Sequence, residues 1–266
     1  MYLLIRFTPI ISSIFLGLIF IFGYFQPAWL LKAFQLNRLT LSATFNLAVI
    51  SALIILSSVI IIGMGVSFVS RLRFIPFIFI SWLSAFVIFL YSDQPYVVWP
   101  IIILIPAINW VWLESLYLYW QRPEFYQPYS LQRIANYFYL LEIFLFITAV
   151  IGLQILMQVP IWMILILAVL VLFYIQYDYL LLHQLDKIES LIISLLGTIL
   201  AGELYLVLNL LPTHFFMYGI LISIFFYLWL GIGKQILRRN KELKYIKLPM
   251  ILGGLGAIAI FITSFL

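Results

Sequence analysis

The charged residues of this chain are separated by apolar runs of about 20 residues, and these runs constrain the fold more than any other feature. A helix rises 1.5 Å per residue, so a run of this length matches the hydrocarbon thickness of a bilayer. Only 9% of the 266 residues are charged and 66% are hydrophobic, whereas a soluble domain carries about 25% charged residues. The sequence therefore predicts an all-α, polytopic transmembrane helical bundle.

We expect about nine spans within a single integral membrane domain of residues 1–266, with eight as the alternative if a pair joined by a short loop is re-entrant. The first apolar run is too long for a cleaved signal peptide and is expected to be retained as a span. The predicted spans are roughly 7–25, 43–64, 74–91, 97–119, 134–157, 160–179, 190–211, 215–232 and 248–265.

The distribution of positive charge predicts the orientation of these spans. With alternating spans, twelve of the 14 Lys and Arg residues fall on one side, and only Lys32 and Arg38 fall on the other. Cytoplasmic loops carry the excess of Lys and Arg, so the N-terminus is predicted inside and the C-terminus outside.

One loop, between the last two predicted spans, accounts for the whole net charge of +5. Such a local excess favours contact with anionic lipid headgroups over a nucleic-acid surface. Membrane lipids are thus the expected partners, and no nucleic acid is expected. The basic residues predicted to contact lipid are Lys234, Arg238, Arg239, Lys241, Lys244 and Lys247.

Glu203 lies near the middle of the apolar run of the predicted seventh span, with no Lys or Arg at matching depth. A charged side chain at the bilayer centre costs about 2.5–3.5 kcal/mol on insertion scales, so Glu203 is expected to face the bundle interior, a cavity or a partner. Two interpretations stay open. Glu203 belongs to a proton or solute pathway, or it is an uncharged glutamic acid hydrogen-bonded to a neighbouring helix.

Small residues form two helix faces that are suited to close packing, and a homo-oligomer through these faces is one expectation. The first face recurs every four residues beside Glu203, and the second belongs to the last predicted span. The small residues are Ser190, Ser194, Thr198 and Gly202 on the first face, and Gly253, Gly254, Gly256 and Ala257 on the second.

A second group of candidate pathway residues lies in the fourth and fifth predicted spans. Pro106 predicts a kink in the fourth span, because proline lacks the N–H group and crowds the preceding turn. Asn109 and Glu114 follow in the same span, and Glu142 lies in the next one. These three polar residues are expected to form a patch that opens to the cytoplasm. Alternatively, both acids are paired at the interface with Arg122 and Arg133.

The loop between the sixth and seventh predicted spans contains residue types that bind metals, namely Asp178, His183, Asp186 and Glu189. Asp186 followed three residues later by Glu189 is also typical of a helix N-cap, and this interpretation needs no ligand. The chain has no cysteine, and no nucleotide-binding or hydrolase motif occurs in it. We therefore expect no metal and no cofactor.

The Trp and Tyr residues near the predicted span ends favour interfacial anchoring over an aromatic binding cage, because amphipathic rings prefer headgroup depth. The residues concerned are Trp29, Trp99, Trp112, Tyr117, Tyr119, Trp120, Tyr177 and Tyr179.

Residues 202–229, GELYLVLNLLPTHFFMYGILISIFFYLW, resemble polytopic membrane proteins of small-genome candidate-phylum bacteria. The resemblance rests on Gly202 and Glu203, on Leu211 and Pro212, and on the aromatic-rich span that follows. Those proteins are uncharacterised, so the resemblance implies a bacterial inner (plasma) membrane and carries no activity over.

Three classes of function remain open. A transporter of a small solute or ion is preferred, because a pathway needs intramembrane acids and an interrupted polar helix. A scaffold or assembly factor would act through the basic loop and the small helix faces. A membrane-embedded enzyme acting on a lipid would use Glu114 and Glu142 as acid and base, but an enzyme is the less favoured class.

Overall fold

The computed structural model describes residues 2–24, 37–64, 66, 74–92, 95–126, 130–183, 186–209 and 215–237. All regular secondary structure in these residues is α-helical, which confirms the predicted all-α class. The helices are α1 (Tyr2–Tyr24), α2 (Asn37–Ile62), α3 (Ile75–Tyr91), α4 (Pro95–Gln121), α5 (Ser130–Met157), α6 (Ile161–Leu182), α7 (Lys187–Leu208) and α8 (Phe215–Leu237).

Several of these helices have the length and composition of membrane spans. Five are long and apolar enough to cross a membrane, namely Pro95–Gln121, Leu131–Ile155, Ile161–Leu182, Lys187–Leu208 and Phe216–Gly233. Shorter apolar segments are Ile5–Ile21, Val49–Ile62 and Ile75–Phe89. Each of the first eight predicted spans overlaps a helix. The ninth, 248–265, lies outside the described residues, so the count of nine and the orientation stay predictions.

The chain divides into two compact units, Met1–Leu131 and Gln132–Leu266. The first unit contains α1 to α4, and the second contains nearly all of α5 together with α6 to α8. The prediction that the whole chain is one integral membrane domain stays a prediction.

The packing of α1 against α4 organises the first unit. A Cβ atom added at Gly17 would lie 3.6 Å from the Pro106 ring, so the two helices approach closely there. Trp112 of α4 is fully buried against Phe74 and Phe77, with ring centroids 6.2 Å and 4.4 Å away. The ring of Trp112 therefore fills the core of this unit, whereas its position at the membrane interface stays a prediction.

Helix α4 continues through both of its internal prolines, Pro100 and Pro106. A proline inside a helix removes one backbone hydrogen bond, but tertiary packing can hold the helix together across that gap. Asn109 and Glu114 consequently lie on the same uninterrupted helix as Pro106.

Helix α7 packs through its small residues in the second unit. A Cβ atom added at Gly202 would lie 3.5 Å from Val169 of α6, and the Gln176 amide of α6 donates to the Thr198 hydroxyl at 2.7 Å. This face is therefore occupied within the chain. The buried small residues of α7 are Ser190, Ser194, Gly197, Thr198, Ala201 and Gly202.

The start of α7 confirms the predicted N-cap. Asp186 has an extended backbone, and its carboxylate accepts hydrogen bonds from the backbone N–H groups of Ile188 at 3.1 Å and Glu189 at 3.4 Å. A side-chain acceptor at this position satisfies N–H groups that have no partner within the helix. Asp186 thus has a structural role.

Candidate functional site

Among the described acids of the second unit, Glu142 is the least exposed. Only 1% of its surface is exposed, and it lies about 18 Å along α5 from Ser130 and about 22 Å from Met157. Neither carboxyl oxygen has a hydrogen-bond partner among the described residues. Burying a charged or polar group without a partner costs several kcal/mol, so packing alone does not account for this residue.

Asp178 of α6 is the acidic neighbour of Glu142. It is buried, and Tyr139 of α5 links it to the level of Glu142. The hydroxyl of Tyr139, which precedes Glu142 by about one helical turn, donates a hydrogen bond to Asp178. We refer to Tyr139, Glu142 and Asp178 as the acidic cluster.

A second layer of polar and aromatic groups continues from the acidic cluster along the same two helices. The Tyr179 hydroxyl donates to the Asn136 side-chain oxygen at 2.8 Å. The Tyr179 ring meets the Tyr139 ring edge to face, with centroids 5.6 Å apart. His183 Nδ1 lies 2.9 Å from the Tyr179 carbonyl oxygen. The helical spacing of Asn136, Tyr139 and Glu142 places this polar face of α5 against α6.

A cavity of about 270 Å³ opens between α5, α6 and α8 beside this layer. Its lining includes Asn136, Tyr137, Tyr179 and Tyr227, together with two leucines and a glycine. Tyr179 is buried and forms the inner wall, whereas 75% of the surface of Tyr137 and 46% of that of Tyr227 are exposed. The cavity therefore reaches from the surface of the unit to the ring that contacts Tyr139.

Glu114 of the first unit is paired with Arg6 of α1. Arg6 donates to the Glu114 carboxylate at 2.5 Å, and its guanidinium lies 5.2 Å from the centre of the Tyr117 ring. The pair is partly exposed, with 42% of the Arg6 and 25% of the Glu114 side chain accessible. An ion pair with a cation of the same unit gives Glu114 a structural explanation that Glu142 lacks.

Asn109 lies on the same helix as Glu114 and links α4 to α1. Its amide nitrogen donates to Ser13 at 3.0 Å and is 3.4 Å from Ser12. Polar contacts of this kind hold helices together in an apolar environment. Beside this contact, Ser13, Pro106 and Trp110 contribute to a largely apolar groove of about 410 Å³. Neither Asn109 nor Glu114 lines that groove.

Glu203 lies on the exposed side of α7, about 7.5 Å from the end of the helix at Leu208. The side chains around it on this face are exposed and apolar, and it lines neither of the two cavities described above. Glu203 was predicted to face the bundle interior, a cavity or a partner. Its exposed side chain agrees better with contact to a partner than with the bundle interior. The exposed apolar neighbours are Leu196, Ile199, Leu200, Leu206 and Val207.

The remaining predicted residues are either separate from the acidic cluster or outside the described part of the chain. Arg133 is exposed, and Arg122 lies 5.5 Å from the centre of the Phe125 ring. No group of three or more acidic or histidine side chains that could hold a metal ion occurs in the described residues. The side chain of Lys234 lies outside them, as do Arg238, Arg239, Lys241, Lys244 and Lys247.

The structure adds Arg6, Tyr139 and Asp178 to the residues that merit functional consideration. Asp178 was predicted as a metal-ligand type in the loop between the sixth and seventh spans, but α6 continues to Leu182, so Asp178 lies inside the helix. The sequence does contain a signal for the polar face of α5 that packs against α6. Polar residues recur there every three positions, at Asn136, Tyr139 and Glu142.

These features define an all-α protein with helices long and apolar enough to cross a membrane, and with a buried acidic cluster in its second unit. Comparisons with protein-family models, with curated proteins and with solved structures find no match to this chain.

Proposed function

We propose that the protein transports a small solute or ion, and that the acidic cluster binds and releases a proton during transport. The observation that supports this proposal is the burial of the Glu142 carboxyl group beside Asp178, with neither Glu142 oxygen hydrogen-bonded among the described residues. Ionisable residues inside membrane helices characteristically mark ion and proton pathways.

The chemistry of the cluster suits proton exchange. Two neighbouring carboxylates repel each other, and a proton held by the pair removes that repulsion. Tyr139 occupies one acceptor position on Asp178, whereas neither Glu142 oxygen has a donor among the residues that the structure describes. The exchanged proton is therefore expected on Glu142. Its release leaves two negative charges, which a change in conformation or a cation must then compensate.

The cavity provides an approach to the cluster from one side. Tyr179 lines the cavity and contacts the Tyr139 ring. The ring of Tyr179 therefore separates the cavity from the acidic cluster, to which Tyr139 belongs. We propose a location in a bacterial inner membrane from the resemblance of residues 202–229, and an N-terminus inside from the distribution of the positive charges.

The proposal is tested by proton uptake into vesicles that contain the purified full-length protein. A pH-sensitive dye is trapped inside, and a potassium diffusion potential, negative inside, drives protons inward. We expect uptake above that of protein-free vesicles, and at least about a tenfold lower rate for Glu142→Gln, since the amide cannot bind the proton. Uptake equal to that of protein-free vesicles, or an unchanged rate in Glu142→Gln, would contradict the proposal.

The two alternative functions have less support. The scaffold hypothesis relies on the basic loop and on two helix faces formed by small residues. One of these faces is buried within the second unit. The enzyme hypothesis assigns acid–base chemistry to Glu114 and Glu142, but Glu114 is engaged by Arg6.

A further inference from the structure

The cavity beside the acidic cluster has a lining that distinguishes between classes of solute. Three tyrosines, Tyr137, Tyr179 and Tyr227, contribute aromatic surface from three helices. None of the described residues that line it is a Lys or an Arg. An anionic solute would therefore find no compensating charge among these lining residues, whereas ring faces attract cations through their quadrupole.

The carboxyl groups behind the inner wall of the cavity also favour a positively charged solute. Tyr179 separates the cavity from Tyr139, whose hydroxyl binds Asp178, with Glu142 close by. A carboxylate in an apolar surrounding produces a negative potential that extends into a nearby cavity, because little solvent screens it. A positively charged solute is thus complementary both to the aromatic lining and to the acids behind it.

The size of the cavity limits the solute. Its volume of about 270 Å³ is below the roughly 300–1,000 Å³ of sites for drug-sized ligands. Only a compact molecule fits, and an alkylammonium group meets the aromatic surface more readily than a strongly hydrated metal ion.

We propose that this cavity binds a small organic cation with an alkylammonium group, and that the bound cation replaces the proton as the group that compensates the charge of the acidic cluster. The inference rests on the proposed function, because the cation and the proton compensate the same negative charge of the acidic cluster. Cation entry would therefore be linked to proton release from Glu142.

Equilibrium binding of radiolabelled choline to the purified full-length protein tests the proposal. We expect saturable binding that tetramethylammonium displaces. We expect no displacement by the neutral choline isostere in which carbon replaces nitrogen, since that molecule has the same shape without the charge. Tyr227→Leu is expected to weaken binding about tenfold, and Tyr227→Phe is expected to retain it within about threefold, because the phenylalanine ring preserves the aromatic face. Tyr227 is half-exposed, and thermal unfolding of both variants verifies that they fold.

Absence of saturable choline binding, equal displacement by the neutral isostere, or wild-type affinity in Tyr227→Leu would overturn the inference. Proton uptake by the wild-type protein separates this failure from a failure of the proposed function. Glu142-dependent uptake without choline binding overturns only the choice of solute. Choline binding without proton uptake supports the cation site and overturns proton coupling.

Discussion

Arg6 and Glu114 form an ion pair at 2.5 Å, although 108 positions separate them in the chain. The contact fixes α1 against α4. The guanidinium also lies over the ring of Tyr117, which is about one turn beyond Glu114. The second Glu114 oxygen is buried without a hydrogen bond among the described residues. Glu114 therefore depends on Arg6 for the compensation of its charge.

Removing Arg6 is expected to destabilise the protein, because it leaves the Glu114 carboxylate without its cation. For Arg6→Ala we expect a loss of about 1–2 kcal/mol, between the values for exposed and buried pairs, since both side chains are partly exposed. Arg133→Ala is the matched control, because Arg133 is exposed. Tryptophan fluorescence during unfolding in detergent measures both changes. Equal stability of the two variants would show that the pair contributes nothing.

Replacing each of two glycines of α7 by alanine is expected to affect the stability of the protein by very different amounts. A Cβ atom at Gly197 would overlap the Trp229 indole nitrogen and the Gln176 amide oxygen, whereas one at Gly202 makes ordinary contact with Val169 at 3.5 Å. Gly197→Ala should cost about 1–3 kcal/mol through overpacking. Gly202→Ala should be neutral or stabilise by up to about 1 kcal/mol through helix propensity. Thermal unfolding compares them, and identical midpoints would refute the packing of α7 described above.

Replacing Glu203 by leucine is expected to stabilise the isolated protein. The carboxyl group lies among exposed apolar side chains, where the leucine would match its neighbours. We expect a gain of about 1 kcal/mol, less than at the bilayer centre, because Glu203 is near the end of α7. Chemical unfolding in lipid–detergent mixtures provides the measurement. A marked loss of stability would mean that the carboxyl group has a hydrogen-bond partner in the native assembly.

The orientation of the chain is testable because it contains no native cysteine. Single cysteines introduced at Lys241 and after Leu266 report the two ends of the predicted ninth span. A membrane-impermeant maleimide should label the C-terminal cysteine in intact cells, and label Lys241→Cys only after permeabilisation. Labelling of both cysteines from the same side would contradict the ninth span.

The existence and length of the helices could be predicted from the sequence because long apolar runs leave few alternatives. Overlap of the fourth to eighth predicted spans with α4 to α8 follows from hydropathy alone. The fully buried Trp112 shows the limit of such patterns, because proximity to a predicted span end does not determine whether a ring faces lipid or a neighbouring helix.

The site could be predicted only in part because its contacts depend on the register between helices. Glu142 was predicted as a pathway residue, but nothing local indicates that Asp178 lies beside it. The same limit applies to Arg6 and Glu114, whose pairing depends on how α1 lies along α4. For Glu203, apolar residues surround the whole circumference of α7 apart from the small face, so hydropathy does not indicate which side is exposed.

The most direct test of proton exchange at the acidic cluster compares two glutamates in the same vesicle assay. Glu142→Gln and Glu203→Gln remove the same ionisable group, one from the buried cluster and one from the exposed side of α7. We predict that potential-driven proton uptake falls at least about tenfold in Glu142→Gln and stays within about twofold of wild type in Glu203→Gln. Wild-type uptake in Glu142→Gln would contradict the central claim, and so would loss of uptake in Glu203→Gln.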